Sequence, residues 1–204
     1  MNFELSEGPI ASVGELARVP IAFTVDRACE ASASEGGGFV LSERPIEPAY
    51  LKDYDSIPGE GPTQWARRFD VSAWGFVRAR SNGELIGGAV VAFGSADVTM
   101  LEGRQDLSVL WDIRVAPEVR RQGVGAALFE AVVAWALARN CRQLKIETQN
   151  INVAACRFYA RQGCVLGAVN RSAYPQLPGE VQFLWYKDLA AQTPPPTGLQ
   201  AGTM

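Results

Sequence analysis

The sequence contains no histidine among its 204 residues. This absence excludes Ser-His-Asp and Cys-His catalysis, and it excludes histidine-based metal sites. Proton transfer in any reaction must therefore use carboxylates, tyrosine, lysine, cysteine or water. The four cysteines, at positions 29, 141, 156 and 164, show no C-x-x-C spacing, which argues against a zinc ribbon or a thioredoxin-type motif. The sequence therefore predicts no metal site.

Long apolar runs and a strong excess of one charge are also missing. No stretch reaches about 18 uninterrupted apolar residues, so no membrane-spanning helix is expected, and no basic-then-apolar signal peptide opens the chain. Lys and Arg number 19 against 22 Asp and Glu, a mildly acidic balance that argues against a dedicated nucleic-acid binder. We therefore expect a cytoplasmic protein with reduced thiols, and neither a nucleic-acid nor a membrane partner.

The residues that are present fit a single folded domain. Hydrophobic residues make up 48% of the chain and charged residues 20%, which is typical of a globular protein. Residues 1–189 are predicted to form the domain, with 1–14 loosely ordered, and 190–204 are predicted to be a disordered tail. Exposed sheet edges would allow a homodimer.

Strand patterns dominate the first half of the chain. β-branched and aromatic residues predict strands over 19–28, 39–46, 71–80, 85–93, 107–115, 144–148, 164–170 and 181–186. Asn82-Gly83 between two of them predicts a hairpin, because both central positions of a type I′ turn need a positive φ. Proline and glycine make 47–63 a long irregular connection, which is often functional.

Two helices are predicted in the second half. Apolar residues at helical spacing predict the first over 122–139. Asn152 and Gly163 have the residue types that cap the two ends of the second. The order strand, helix, strand over 107–149 indicates a mixed α/β or α+β fold.

The segment after the strand at 107–115 carries the clearest chemical signal. It holds Arg120, Arg121, Gly123 and Gly125 directly before a predicted helix. Free backbone N–H groups and the helix dipole favour an anion there, so the turn predicts a diphosphate site. The alternative is an ordinary turn with solvated arginines. A Walker motif is excluded because no Gly-Lys-Ser/Thr follows, and the Rossmann pattern lacks its third glycine.

A second segment lies in the helix that Asn152 begins. Asn152 and Tyr159 are seven residues apart, so two helical turns place them on one face of the helix. The alternative is that Tyr159 is a core aromatic and that Asn152 acts only as a helix cap.

These two segments resemble the two motifs of the GNAT superfamily of N-acetyltransferases. Residues 120–125 (R-x-x-G-x-G) are similar to its acyl-CoA-binding signature, and residues 152–163 (N-x-x-A-x-x-F-Y-x-x-x-G) are similar to its second motif. The runs at 38–45, 112–115 and 147–159 are further similar to the streptothricin acetyltransferase branch. Where that branch often has an acidic residue before the Asp-Ile pair, this chain has Trp111.

The resemblance implies direct transfer of the acetyl group of acetyl-CoA to a primary amine of a small cationic molecule. It implies a mixed, twisted central sheet, flanked by helices, that splays between the strands at 107–115 and 143–149, where acetyl-CoA would enter. The implied cofactor-binding residues are Ile113, Arg114 and Val115 for the pantetheine arm, with Arg120, Arg121, Gln122, Gly123, Val124, Gly125, Ala126, Asn152 and Tyr159.

The reaction needs a base, because a free alkyl ammonium has a pKa of ~10.4. Glu147 and Asp112 are the candidate bases, on neighbouring strands at the splay, unless they are merely solvated or salt-bridged. Glu147 is favoured because it ends a strand beside the second helix. Tyr159 is the candidate acid for the departing thiolate. A covalent route through Cys156 or Cys164 is the alternative, although without histidine neither has an obvious activating base.

The charge of an acidic segment indicates what kind of molecule accepts the acetyl group. Residues 43–60 hold five acids against two bases, so they predict binding of a cation, unless the charges only solvate the loop. The candidate acceptor-binding residues are Tyr54, Asp55, Trp111 and Tyr174. A protein N-terminus or lysine is an alternative acceptor, and a non-catalytic acyl-CoA-binding module is the alternative outside enzymes.

Overall fold

The structure, a computed structural model, describes residues 2–189. Its strands are β1 Glu4–Gly8, β2 Phe23–Ala33, β3 Phe39–Lys52, β4 Gly75–Ser81, β5 Glu84–Ala92, β6 Leu107–Val115, β7 Gln143–Gln149, β8 Val165–Asn170 and β9 Gln182–Asp188. Its α-helices are α1 Trp65–Arg68, α2 Val124–Leu137 and α3 Val153–Arg161, and short 3₁₀ helices cover Ile10–Arg18, Thr99–Leu101 and Pro117–Val119.

Seven strands form one mixed sheet in the order β1-β4-β5-β6-β7-β9-β8. Neighbouring strands are antiparallel except for β6 and β7, which run parallel. Because α2 connects these two strands, they form the βαβ unit that the sequence predicts. β2 and β3 form a separate two-stranded sheet. The predicted mixed sheet with flanking helices is confirmed.

Helices cover both faces of the large sheet. A Cβ atom at Gly87 would lie 3.3 Å from Leu128 Cδ1 of α2, and one at Gly88 would lie 2.9 Å from Leu16 Cδ1. Successive strand residues point to opposite faces. Hence α2 covers one face of β5, and the 3₁₀ helix Ile10–Arg18 covers the other. The buried core lies between these layers.

β6 and β7 pair over only part of their length. Their register joins residues 107–110 to residues 143–146. Beyond this point the two strands diverge. In the described part of the chain residues 112–115 pair with β5 alone, and Trp111 lies at an irregularity in that pairing. We call residues 111–115 the open edge of β6. It confirms the predicted splay of the sheet.

Backbone polar groups of the open edge face β7. Ala116 N–H donates to Ile86 O of β5 at 2.9 Å. Since backbone groups alternate in direction along a strand, the N–H and C=O groups of Ile113 and Val115 point away from β5. The Val115 C=O accepts from Arg120 Nε at 3.0 Å, and the other three groups are available to an extended ligand lying between the strands.

The N-terminal region differs from its prediction. Residues 2–14, expected to be loosely ordered, form β1 and the start of a 3₁₀ helix. β1 pairs with β4 from Glu4 to Gly8, and Leu16 of the 3₁₀ helix is fully buried. The prediction was wrong because a short polar edge strand gains its conformation from the neighbouring strand rather than from its own pattern. The predicted tail, 190–204, lies outside the described residues.

Most predicted elements begin or end a few residues away from their predicted bounds. The predicted hairpin turn and helix cap are nevertheless present. β3 continues to Lys52 and shortens the predicted connection, and β2 begins only at Phe23. Asn82 and Gly83 have φ of 51° and 83°, as the predicted hairpin turn requires. Asn152 Oδ1 accepts from Ala155 N–H at 3.1 Å, which confirms its prediction as the cap of α3.

Candidate active site

A cavity of about 650 Å³ opens where β6 and β7 diverge. Its walls come from the open edge of β6, the end of β7, α3, and two loops, 53–61 and 171–180. Thirteen of the residues predicted for the site border it: Tyr54, Asp55, Trp111, Asp112, Ile113, Arg114, Val115, Arg120, Gly125, Glu147, Asn152, Tyr159 and Tyr174. The other five, which lie outside this lining, are Arg121, Gln122, Gly123, Val124 and Ala126.

Those five residues belong to the phosphate turn, residues 120–126, which joins β6 to α2. Gly123 has a φ of 89°, and a Cβ atom there would meet nothing within 4 Å. Ala127 N–H donates to Gly123 O at 3.0 Å, so the N–H groups of 124–126 precede the first helical hydrogen bond and are free to bind an anion. The turn therefore has an open approach and the backbone donors that a diphosphate needs.

Glu147 lies in the cavity wall, held by neutral donors. Tyr174 Oη donates to its Oε1 at 2.5 Å, and Gln182 Nε2 donates to its Oε2 at 2.7 Å. Gln149 Nε2 in turn donates to Tyr174 Oη at 3.1 Å. Among the ion pairs formed within residues 2–189, none includes Glu147. The carboxylate is thus oriented without being neutralised.

Asp112, the other candidate base, is paired with the guanidinium of Arg114. Its two oxygens accept from Arg114 Nε at 2.9 and 3.1 Å, and Oδ2 also accepts from Arg114 Nη2 at 2.9 Å. Burial raises the pKa of Asp112, and contact with the guanidinium opposes that rise. Because its lone pairs are occupied, Asp112 is less accessible to a substrate proton than Glu147.

Tyr159 is 5% exposed and borders the cavity from α3. Its ring packs edge-on against Phe158, with centroids 5.2 Å apart, and lies 6.2 Å from that of Phe129. Burial, followed by the negative charge of Asp112, raises the pKa of the phenol. A phenol that stays protonated at neutral pH can donate a proton, which the acid role requires.

Cys156 and Cys164, the two cysteines considered for a covalent route, are poor nucleophiles. All four are free and buried. A hydrogen bond with Cys29, together with burial, raises the pKa of Cys156, and burial raises the pKa of Cys164 to about 11. Since the thiolate is the reactive form, these environments argue against the covalent route.

The acidic charges of 43–60 are mostly paired within the protein. Glu43 binds Arg157 at 2.5 Å on the exposed side of α3, and Glu60 binds Arg68 at 2.7 Å. Asp55, which borders the cavity, binds Arg114. The acidity of the segment therefore does not translate into a row of free carboxylates facing an acceptor.

Tyr54 joins the two loops that border the cavity. Its hydroxyl donates to Glu180 Oε2 at 2.8 Å, and Lys52 forms an ion pair with the same buried carboxylate. Lys52 Nζ also lies 4.7 Å from the centroid of the Tyr54 ring. Sequence reasoning missed Glu180 and Lys52 because 128 residues separate them.

Trp111 lies in an aromatic cluster at the cavity wall. Its ring centroid lies 5.1 Å from those of both Phe69 and Trp74. Because aromatic rings pack together in preferred orientations, these contacts hold the Trp111 ring in place. Trp111 thus presents a rigid apolar wall in place of the acidic residue common in the streptothricin branch.

The described residues contain neither a metal-binding cluster nor a membrane-spanning helix. Across residues 2–189, no three or more cysteine, aspartate or glutamate side chains are grouped to hold a metal ion. No helix in that range combines the length and apolar character needed to cross a bilayer.

Comparison with known proteins identifies the family. The profile of the acetyltransferase (GNAT) family matches residues 42–164, more than half of the chain. The chain belongs to this family, and it is an N-acetyltransferase that uses acetyl-CoA as its co-substrate. Within the family it falls in the streptothricin acetyltransferase branch.

Its relatives in that branch match over most of their length. The streptothricin acetyltransferase of Escherichia coli is 32% identical over 76% of this chain and 79% of that protein. Streptothricin acetyltransferase A of Bacillus subtilis (strain 168) is 28% identical over 76% of this chain and 82% of that protein.

A solved structure shares the fold. A Bacillus anthracis str. Ames protein, assigned as a streptothricin acetyltransferase and solved with acetyl coenzyme A, superimposes with a TM-score of 0.73. It is 22% identical, and the match covers 92% of this chain and 99% of that one.

Proposed function

We propose that this enzyme transfers acetyl directly from acetyl-CoA to a primary amine of a small cationic molecule, with streptothricin as the leading candidate. The observation that carries the proposal is Glu147, an oriented and unneutralised carboxylate in a cavity that the open edge of β6 also borders. The names of the curated relatives support streptothricin as the acceptor. A cytoplasmic location and a homodimer stay predictions.

The cofactor side of the site would use the backbone. Pantetheine carries amide groups, which can pair with Ile113 and Val115 at the open edge as a neighbouring strand would. The phosphate turn would bind the pyrophosphate through the N–H groups of 121–126. Arg120 Nε donates to Val115 O at 3.0 Å, so its charge lies between the two regions.

The chemical step would use two side chains. Glu147, directly or through water, takes a proton from the ammonium, and the amine nitrogen then attacks the thioester carbonyl carbon. A backbone N–H group of the open edge, from Ile113 or Val115, stabilises the oxyanion. When the carbonyl re-forms and the C–S bond breaks, Tyr159 donates its proton to the leaving sulfur. The acylated nitrogen then loses its remaining extra proton, which returns through water to the Tyr159 phenolate, so that amide, thiol and phenol are all neutral.

The test is acetyl-CoA turnover with streptothricin and a panel of other amines, comparing the wild type with Glu147→Gln. Gln keeps the size of the side chain and removes the basic carboxylate, so we expect kcat/KM to fall by roughly 10²–10³-fold. Acetyl-CoA affinity should stay unchanged. A matched control is Glu43→Gln, which removes a half-buried carboxylate that pairs with Arg157 of α3 outside the cavity lining.

Two results would contradict the proposal in different ways. Normal turnover by Glu147→Gln would remove Glu147 from the mechanism. A wild type that acetylates no small amine, but does acetylate peptide N-termini or lysines, would replace the proposed acceptor with a protein.

A further inference from the structure

Every N–H group of the Arg114 guanidinium donates a hydrogen bond. A guanidinium carries five N–H donors in a rigid fork. Besides its bonds to Asp112, Arg114 Nη1 donates to Asp55 Oδ2 at 2.5 Å and to Val19 O at 3.3 Å, and Nη2 donates to Asp55 Oδ1 at 2.9 Å. The Arg114 side chain is only 1% exposed. We call Arg114, Asp55, Asp112 and the Val19 carbonyl the Arg114 network.

The partners of Arg114 belong to three different walls of the cavity. Asp112 lies on the open edge of β6, and Asp55 lies in the 53–61 loop. Val19 directly precedes Pro20 and Ile21, which also border the cavity. One buried guanidinium therefore fixes the relative positions of three chain segments that are far apart in sequence.

The 53–61 loop has no comparably buried ion pair elsewhere among the described residues. Its other ion pair, Glu60 with Arg68, has side chains 42% and 43% exposed, and exposed pairs contribute little. Asp53 Oδ1 accepts from Asp55 N–H at 3.0 Å, a bond within the loop itself. The bond from Tyr54 to Glu180 ties the loop to the 171–180 loop, and the bidentate bond from Arg114 is its main polar attachment to the large sheet.

We infer that Arg114 is a positioning residue for acceptor binding, which holds the 53–61 loop, and with it Tyr54, against the cavity through Asp55. The inference rests on the proposed function, since it assumes that the acceptor occupies the part of the cavity that this loop borders. Acetyl-CoA would bind on the backbone of β6 and the phosphate turn, so its binding should not depend on the Arg114–Asp55 bond.

Asp55→Asn is the variant that tests this role. Removing Arg114 itself would leave two carboxylates unpaired and could prevent folding, whereas Asn keeps the shape of residue 55 and leaves the Asp112 bonds intact. We expect KM for streptothricin to rise by roughly 10-fold, with KM for acetyl-CoA within about 2-fold of the wild type. Hydrogen exchange of 53–61 in the free enzyme should become faster.

The control is Arg68→Gln, which breaks the exposed ion pair to the same loop and should leave both KM values unchanged. A merely structural role for the Arg114 network would lower thermal stability and the active fraction while leaving both KM values alone. That result, or unchanged exchange of 53–61, would overturn the inference. An equal rise in both KM values would overturn it too.

The kinetics separate this inference from the proposed function. A wild type that acetylates neither streptothricin nor spermidine overturns the proposed function and the inference together. A wild type that is active on either amine, with normal Asp55→Asn kinetics, overturns the inference alone.

Discussion

Asp112 and Glu147 show how two carboxylates with the same predicted role acquire different environments. Asp112 accepts three hydrogen bonds from one guanidinium, while Glu147 is oriented by a phenol and an amide. The sequence identified both residues because they lie on neighbouring strands at the predicted splay. It could not rank them by environment, because Tyr174 and Gln182 lie 27 and 35 residues from Glu147 and reach it only through the β7–β9 pairing.

Tyr159→Phe tests the other member of the proposed pair. The variant keeps the ring packed against Phe129 and Phe158 and removes only the hydroxyl, so the fold should be unaffected. If the phenol protonates the leaving thiolate, kcat should fall by roughly 10²-fold while KM for acetyl-CoA barely changes. Steady-state kinetics with saturating acetyl-CoA measure this effect. Tyr50→Phe, at an exposed tyrosine, is the control, and a normal kcat for Tyr159→Phe would make the residue a core aromatic only.

At the scale of elements, the sequence predicted those whose signals are local. β6 has the bounds that its apolar run indicates, and α2 lies within its predicted range. The helical spacing of apolar residues and the cap at Asn152 need no knowledge of the rest of the chain. β1 and the 3₁₀ helix Ile10–Arg18 were missed, since their order depends on β4 and on contacts that form only in the folded protein.

One such contact is the attachment of the 3₁₀ helix to β4. Glu15 Oε1 accepts from Arg78 Nη1 at 3.1 Å, and Oε2 accepts from Arg80 Nη2 at 2.6 Å. Burial opposes ionisation of Glu15, but the hydrogen bonds and charges of the two arginines outweigh it and lower the pKa of the carboxyl below its usual 4.5. The folded state therefore binds the Glu15 proton more weakly than the unfolded state does.

Glu15→Gln should consequently destabilise the protein in a pH-dependent way. The stabilisation from a lowered carboxyl pKa is present above the unfolded value and is lost as pH falls through the folded value. We expect the variant to lose about 1 kcal/mol of unfolding free energy at pH 7, allowing for partial solvent screening. That difference should shrink below a pH of about 4.5. Urea denaturation across this range measures it, and a constant difference at all pH values would contradict the assignment.

At the scale of the whole molecule, acetyl-CoA binding should appear as added thermal stability. A ligand at 100 times its Kd adds about 2.7 kcal/mol, which corresponds to a rise in Tm of roughly 5–11 °C for a domain of this size. Gly123→Asp would place a carboxylate beside the pyrophosphate and should abolish this rise. Gly83→Asp is a matched control, because Gly83 also has a positive φ and open surroundings but lies in the β4–β5 turn. A Gly123→Asp protein with a normal rise would refute the phosphate-turn assignment.

The architecture and the cofactor side were predictable because they depend on short segments with recognisable spacing, such as 120–125 and 152–163. The acceptor side of the site was less predictable from the sequence. The acidity of 43–60 predicts free carboxylates, whereas the fold pairs Glu43 and Asp55 with arginines distant in sequence and Glu60 with Arg68, eight residues away. Net charge along a segment does not reveal which charges will be neutralised by other parts of the chain.

The open edge of β6 also bears on self-association. Unpaired strand backbone is a template on which a second polypeptide can add, and proteins normally shield such edges. Here the edge faces inward, across a gap closed at one end by the 107–110 pairing and bordered by α3 and the two loops. A second polypeptide could reach this edge only by entering the cavity past α3 and those loops. The cavity that would offer the open edge to the co-substrate thus also shields that edge from pairing with another chain.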